Sequence, residues 1–390
     1  MVFALYLFDP RNCVMKNVIY YCLCALMAFT ALSCGKTQSN DFPLPVVRKE
    51  AVFICTDNNN LISYDPYTGA KHWEVNFKGN SRGVPVLWKK KLYLVTNNGY
   101  FYAVDVLKGK ISLEVNITNS SDYSLAVEND RLYMASDKLY CYDLNGTLVW
   151  QYDPLTPCTA SPTLVNGKVY VPANDRIHAV DAGSGSGVWT SPSAGGINIQ
   201  SSPRVSNGLV YFGGENKKIY ALQQSDGSVR WEYLTGDRIK SSPLVYGGMC
   251  ICGSEDFGLY CIDTTSPTLP PNGELRWKYT TLDRISSSPA VHEASNTIIV
   301  GGYDFNLYAI DHVSGLLKWK YPAGSLIKSS PLVYGNYIFF TSYDRYLYCV
   351  DVRYGNTVWK SYINGNTDSS PMADDMTNGV YPTVSGMSKY

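Results

Sequence analysis

From residue 51 onward, apolar and polar residues alternate in short runs with no helical period. Ala51-Val52-Phe53-Ile54-Cys55 and Leu61-Ile62-Ser63-Tyr64 open the series. Similar runs rich in Val, Ile, Leu and Tyr follow one another, each bounded by Gly, Asn, Asp or Ser. Short β-branched and aromatic runs between turn residues predict strands. One stretch shows the grammar: Pro243-Leu244-Val245 predicts a strand A, Met249-Cys250-Ile251-Cys252 a strand B, Leu259-Tyr260-Cys261-Ile262 a strand C, and Leu275-Arg276-Trp277-Lys278-Tyr279 a strand D. Asn166-Gly167, Asn207-Gly208, Gly247-Gly248 and Gly335-Asn336 fall between A and B, where a tight antiparallel hairpin wants positive φ. Prolines open strand A, where a missing amide donor costs least.

This grammar is a repeat. Aspartates close strand C at Asp65, Asp105, Asp143, Asp181, Asp263, Asp311 and Asp351, with Gln223 in the remaining slot, so the spacings are 40, 38, 38, 42, 40, 48 and 40. Seven tryptophans follow at a fixed phase, each four residues after a glycine: Trp73, Trp150, Trp189, Trp231, Trp277, Trp319 and Trp359. The second unit has Gly109 and Leu113 instead. A unit of about 40 residues cannot bury its own apolar faces, so copies must stack. Eight copies over 49–375 predict an all-β, eight-bladed propeller of four-stranded antiparallel blades, each tryptophan wedged into a seam between blades. The chain enters on a B strand and ends on a lone A strand opened by Ser369-Ser370-Pro371. Pairing of these two strands would close the eighth blade and leave no free edge. Residues 376–390 are expected to form a peripheral tail, in which Asn378-Gly379-Val380-Tyr381 resembles a surplus B strand.

Charge narrows the picture. Lys plus Arg equals Asp plus Glu at 33 each, so no basic field favours nucleic acid. The first 34 residues stand outside the repeat. From Met15, the expected start, Lys16-Asn17 precedes a charge-free apolar run over 18–31 and then Leu32-Ser33-Cys34-Gly35, a secretory signal layout. The small residues before Cys34 resemble the lipobox of bacterial lipoproteins, which implies a lipid on Cys34, with 35–48 as a flexible tether. Seven further cysteines, an odd number, do not make a disulfide framework. Cys141, Cys261 and Cys349 take the slot that Ala103, Ala179, Ala221 and Ala309 hold in sister units, as small buried side chains would. Cys250 and Cys252 share a strand face but have no second pair or nearby histidine, so they read as packing.

The Asp-x3-Gly-x3-Trp pattern resembles the tryptophan-docking repeat of pyrroloquinoline quinone (PQQ)-type propellers over nearly all of 51–375. That resemblance raises a quinoprotein dehydrogenase, which would need a PQQ pocket, a calcium with Glu, Asn and Asp ligands, a catalytic aspartate and often adjacent cysteines. No Cys-Cys pair occurs, and only 264–272 is longer than its sisters. Asp256, Asp304 and Asp344 read as turn residues of B-to-C hairpins. His72, His178, His292 and His312 fall in different units without ligand spacing and read as surface strand or turn residues. The reading is therefore a non-enzyme with no catalytic residue, no cofactor and no metal assigned.

Compact blades and a lipobox together resemble the BamB family of envelope lipoproteins. In that family the propeller, a subunit of a larger complex, binds the POTRA domains of the barrel-forming subunit through connectors from strand D of one blade to strand A of the next. The resemblance implies an outer-membrane location facing the periplasm. The corresponding candidates are Ile197 and Ile199, then Asp237, Arg238 and Ile239, then Asp283, Arg284 and Ile285, where each isoleucine is an exposed small anchor with a polar rim or, for Ile239 and Ile285, equally a side chain packed beneath the loop. The alternative is a glycan- or small-ligand-binding propeller, for which Tyr303, Tyr343 and Tyr346 are the candidate sugar platform.

Overall fold

The computed structural model describes residues 50–192, 194, 198–265 and 273–374. Within them the chain forms eight four-stranded antiparallel sheets and one short 3-10 turn, Glu293–Ser295. Blade 1 is built from Ala51–Thr56, Asn60–Tyr64 and Lys71–Asn76, with Met372–Asp374 as its innermost strand. Blades 2 to 8 follow in order along the chain as 86–116, 126–152, 163–190, 204–234, 244–280, 290–322 and 332–362. The ring closes as its two end strands predict, with Ala51 opposite Asp374, Val52 opposite Ala373 and Phe53 opposite Met372. The signal segment with Cys34, the tether, Ile197 and the tail lie outside the described residues.

Hydrophobic burial is spread around the ring. The apolar residues form eight clusters, each shared by two neighbouring blades. One joins Leu244, Ile251, Cys261 and Trp277 of blade 6 to Ile298, Val300, Tyr308 and Ile310 of blade 7. Strands B and C are buried on both faces, which is why they read as unbroken apolar runs, while strand D alternates.

A carboxylate and an indole then organise most outer turns, the exceptions being blade 5, with Gln223 in the carboxylate slot, and blade 3, whose Gly146 meets Phe101 and Val115. Asp311 Oδ1 accepts the amides of Val313 (3.2 Å) and Ser314 (2.9 Å), and Asp105 holds Leu107 and Lys108 in the same way. The turn glycine is met by the indole of the preceding blade. A Cβ on Gly355 would lie 2.7 Å from Cε3 of Trp319, and that position has φ +69, so glycine is required twice over. The indole N–H donates to the carbonyl one residue past the aspartate slot of the next blade: Trp73 to Val106, Trp150 to Ala182, Trp189 to Gln224, Trp277 to His312, Trp319 to Val352 and Trp359 to Pro66, at 2.9–3.2 Å. Trp231 occupies the same position, fully buried, without such an acceptor.

Two further devices complete the blades. In every blade the C-to-D ladder shifts by one residue at the tryptophan row, for instance between Cys261 and Ile262, so strand D is bulged there and its twist increases. The paired serines before five of the strand-A prolines bond in different directions. Ser201 Oγ ties to Gly213 of its own blade, whereas the amide of Ser202 donates to Ser242 Oγ of the next at 2.9 Å. The second bond recurs from Ser242 to Ser288, Ser288 to Ser330 and Ser330 to Ser370. The histidine expectation is corrected: His178, His292 and His312 are buried, because each sits on or beside a strand packed by its neighbours.

Candidate partner-binding face

The connectors from strand D to strand A share one face of the ring with the B-to-C hairpins, and hydrogen bonds wedge each connector between two hairpins. Ile239 N donates to Gly214 O of blade 5 at 3.2 Å, while Glu255 N of blade 6 donates to Arg238 O at 2.9 Å. Ile285 N to Ser254 O and Tyr303 N to Arg284 O, both 3.1 Å, repeat the arrangement one blade on. Thr235 and Thr281 brace their connectors by donating to the carbonyls of Asp237 and Asp283.

This wedging decides between the two readings of Ile239 and Ile285 in favour of packing beneath the loop, and rules out an exposed anchor at Ile199 as well. Ile199, Ile239 and Ile285 are each 0% exposed. Strand B of the blade beneath ends on a glycine, Gly213 or Gly253, and the branched side chain of Ile239 or Ile285 fills the space a Cβ would need there. The polar neighbours face outward as the sequence suggests: Arg238 and Arg284 are exposed, with Asp237 and Asp283 half-exposed beside them. Arg238 Nε lies 3.4 Å from the carboxylate of Glu255, which Lys240 approaches at 3.3 Å. Arg284 lies over the Tyr303 ring at 5.2 Å and 3.8 Å from Asp283.

The apolar content of this face comes from residues that sequence reading missed. Leu282 is 75% exposed, and Phe257 and Phe305 are 42% and 47% exposed at the tips of the B-to-C hairpins of blades 6 and 7. They neighbour one another through the connector, since Thr281 N donates to Phe257 O and Leu282 N donates to the carboxylate of Asp304. The available signal was the hairpin position itself: Phe257 and Phe305 stand where sister hairpins place Lys217 and Arg345, all at φ near +70. A bulky apolar residue in a strained tip position is a poor choice for solubility and a good one for contact.

The hairpin aspartates are pins. The Asp256 carboxylate accepts from Gly236 N at 3.1 Å, from Lys278 at 3.0 Å and from the Tyr260 hydroxyl. Burial alone would raise its pKa, but those donors outweigh it and hold Asp256 below the usual carboxylate range. Asp304 and Asp344 each bind the tyrosine four residues on in the same way, so the three are not brought together. The tyrosine trio is also divided: Tyr303 stacks under Arg284, Tyr343 donates to Asp368, and Tyr346 packs edge-on against Tyr362. Among the described residues no group of three or more His, Cys, Asp or Glu is placed to hold a metal ion.

Comparison with known proteins agrees with this architecture. The family model described as outer membrane protein assembly factor BamB matches residues 35–121, 114–190, 173–269 and 268–381. The outer membrane protein assembly factor BamB of Moranella endobia (strain PCIT) is 28% identical over 209 residues, 50% of this chain and 52% of that one. The chain spans about half the length of these curated relatives. Among solved structures, BamB from Moraxella catarrhalis superposes with a TM-score of 0.64 at 19% identity, covering 74% of this chain and 90% of that chain. A europium-containing methanol dehydrogenase superposes at 0.62 and 13% identity, covering 74% and 79%. At such identities these two structures speak for the fold alone.

Proposed function

Since the chain belongs to the outer membrane protein assembly factor BamB family, we propose that it is a lipid-anchored, non-catalytic scaffold of the bacterial envelope. In this reading the lipid is on Cys34, the ring faces the periplasm from the outer membrane, and its partner is the barrel-assembly subunit, gripped at POTRA domains. The observation that carries the reading is the composition of the connector face. Leu282, Phe257 and Phe305 form an exposed apolar centre, and Asp237, Arg238, Asp283 and Arg284 form a charged rim around it. An aromatic and leucine centre inside a polar rim is the form in which a few residues supply most of a binding energy. The buried isoleucines act beneath it by fixing the connectors, so their role is positioning.

The test is co-purification of the barrel-assembly subunit with Leu282→Ser and with the double charge reversal Arg238→Glu, Arg284→Glu. Each is expected to weaken affinity by about tenfold or more, as loss of a centre residue or reversal of a rim charge does. Full recovery with both variants would remove this face from the interface.

A further inference from the structure

We propose that the face opposite the connectors, in the sector of blades 7, 8, 1 and 2, rests on an anionic lipid surface, an inference that stands on the lipid anchor proposed above for Cys34. Strand B of blade 1 runs toward the hairpin face, so the chain enters the ring at Glu50 on the other one, where the Tyr67 hydroxyl donates to the Glu50 carboxylate. The fifteen residues 35–49 separate Cys34 from Glu50, and a free chain of that length spans about 20 Å. The C-to-D turns share this face with the A-to-B turns: Val106 N donates to Lys90 O at 3.2 Å in blade 2, and Val352 N to Asn336 O at 2.9 Å in blade 8. A lipid held at Cys34 would keep this face near the bilayer and convert weak docking into an intramolecular event.

What the turns carry differs by sector. A C-to-D turn needs its aspartate and its glycine, which leaves the tip side chains free of the fold. In blades 3, 4 and 5 the tips are small or polar, as in Asn145-Gly146-Thr147, Gly183-Ser184 and Ser225-Asp226. In blades 7, 8 and 1 they are apolar or aromatic: Val313, Leu316 and Tyr354 are 66%, 68% and 67% exposed, and Tyr67 is 49% exposed. Blade 2 adds charge. Lys108 and Lys110 stand exposed in its C-to-D turn, and Lys89-Lys90 form its A-to-B turn at φ +46 and +65, where Asn166-Gly167 and Asn207-Gly208 show the residues such a turn prefers. Lys89 pairs with Asp130, whereas Lys90, Lys108 and Lys110 have no carboxylate partner among the described residues. The turn carboxylates Asp65, Asp105, Asp311 and Asp351 are occupied by backbone amides, and Glu293 is the exposed acid among the turns of the sector. Tyrosine and aliphatic tips beside unpaired lysines are the side chains that settle at the headgroup level of an anionic bilayer. With one or two tips per blade they build no packed centre of the kind a protein interface has, while a fluid surface accepts them singly.

The test places the full lipidated protein in vesicles of phosphatidylethanolamine and phosphatidylglycerol, with an environment-sensitive fluorophore on Ala70→Cys, in the blade 1 turn, or on Arg345→Cys, at a hairpin tip of the opposite face. Both positions are exposed, and the seven cysteines among the described residues are buried, so the label goes to the new thiol. Flotation of the unlabelled protein with the vesicles reports the anchor. The Ala70 label is expected to shift to the blue and to be quenched by brominated acyl chains, while the Arg345 label stays aqueous. Asn356→Cys, in the blade 8 turn, gives a second site on the same face should Ala70→Cys not fold. Lys90→Gln, Lys108→Gln and Lys110→Gln together are expected to lower the docked-to-free ratio by about fivefold per lysine, and high salt to act likewise. A wild type that fails to float removes the anchor and this orientation with it. Flotation with an aqueous Ala70 label, or equal quenching of both labels, removes the orientation alone. So does a blue shift seen in envelope membranes and absent from pure lipid, which would assign the face to a protein.

Discussion

At the residue scale, the repeat leaves a few side chains whose chemistry is set entirely by their seat. His178 is buried, with the hydroxyls of Tyr152 and Thr190 at 3.1 and 3.2 Å from Nδ1. Burial, reinforced by Arg176, pushes its pKa down from 6.5 to about 4. Between those values the unfolded chain binds a proton that the folded ring refuses, so the contribution is complete above pH 6.5 and is lost as pH falls through 4. A shift of this size corresponds to about 3 kcal/mol. Urea titrations of wild type and His178→Gln at pH 7 and pH 4 should show the wild type losing more stability over that interval by roughly this amount; parallel losses would mean the imidazole is hydrated. The isoleucines show where residue-level reading stops. Ile239 and Ile285 lie among charges in sequence and look like surface residues, and the clue to their burial is some 30 residues earlier, where Gly213 and Gly253 end a B strand and leave a hole.

At the element scale, each strand D depends on a bulge and an indole acting together. The strands, their order and the A-to-B turns were readable because apolar runs and turn residues are local signals, and Asn166-Gly167 adopts φ +51 and +70 as its sequence demands. The bulge opposite Cys261 was not, since nothing in Leu275-Arg276-Trp277 marks Arg276 as the extra residue. The tryptophans allow a controlled comparison. Trp277 donates at 2.9 Å to His312 O, while Trp231 has no acceptor. Substitution by phenylalanine removes similar indole area in both seams but a hydrogen bond in only one. Trp277→Phe should therefore cost about 1 kcal/mol more than Trp231→Phe. Equal costs in chemical denaturation would mean that the indole bond contributes nothing net.

At the scale of the whole molecule, the ring is held by relations between neighbours: eight apolar seams, indoles crossing seven of them in one direction, and a serine relay on the inside. The eightfold count and the closing strand pair were legible because both are counts of a repeated phrase. The proposed binding face was only half legible, because charge shows in a connector whereas exposure of Phe257 and Leu282 depends on how two hairpins flank it. Closure rests on three residues, of which Met372 is fully buried opposite Phe53. Met372→Asp puts an unpaired carboxylate into that interface and should lower stability by at least 3 kcal/mol and yield higher-order species on size-exclusion chromatography. A monodisperse, wild-type-like melt would show that the terminal strand is dispensable.

The pairing of Val52 with Ala373 also sets a timetable. Export delivers residues 51–56 first and their partner strand more than 300 residues later, so until the chain has crossed, one flank of the opening strand has no intramolecular mate. Every other sheet can be completed from a contiguous stretch as it emerges. The last ladder is consequently a long-range, slow event, and until it happens the nascent arc offers a template to any extended polypeptide nearby.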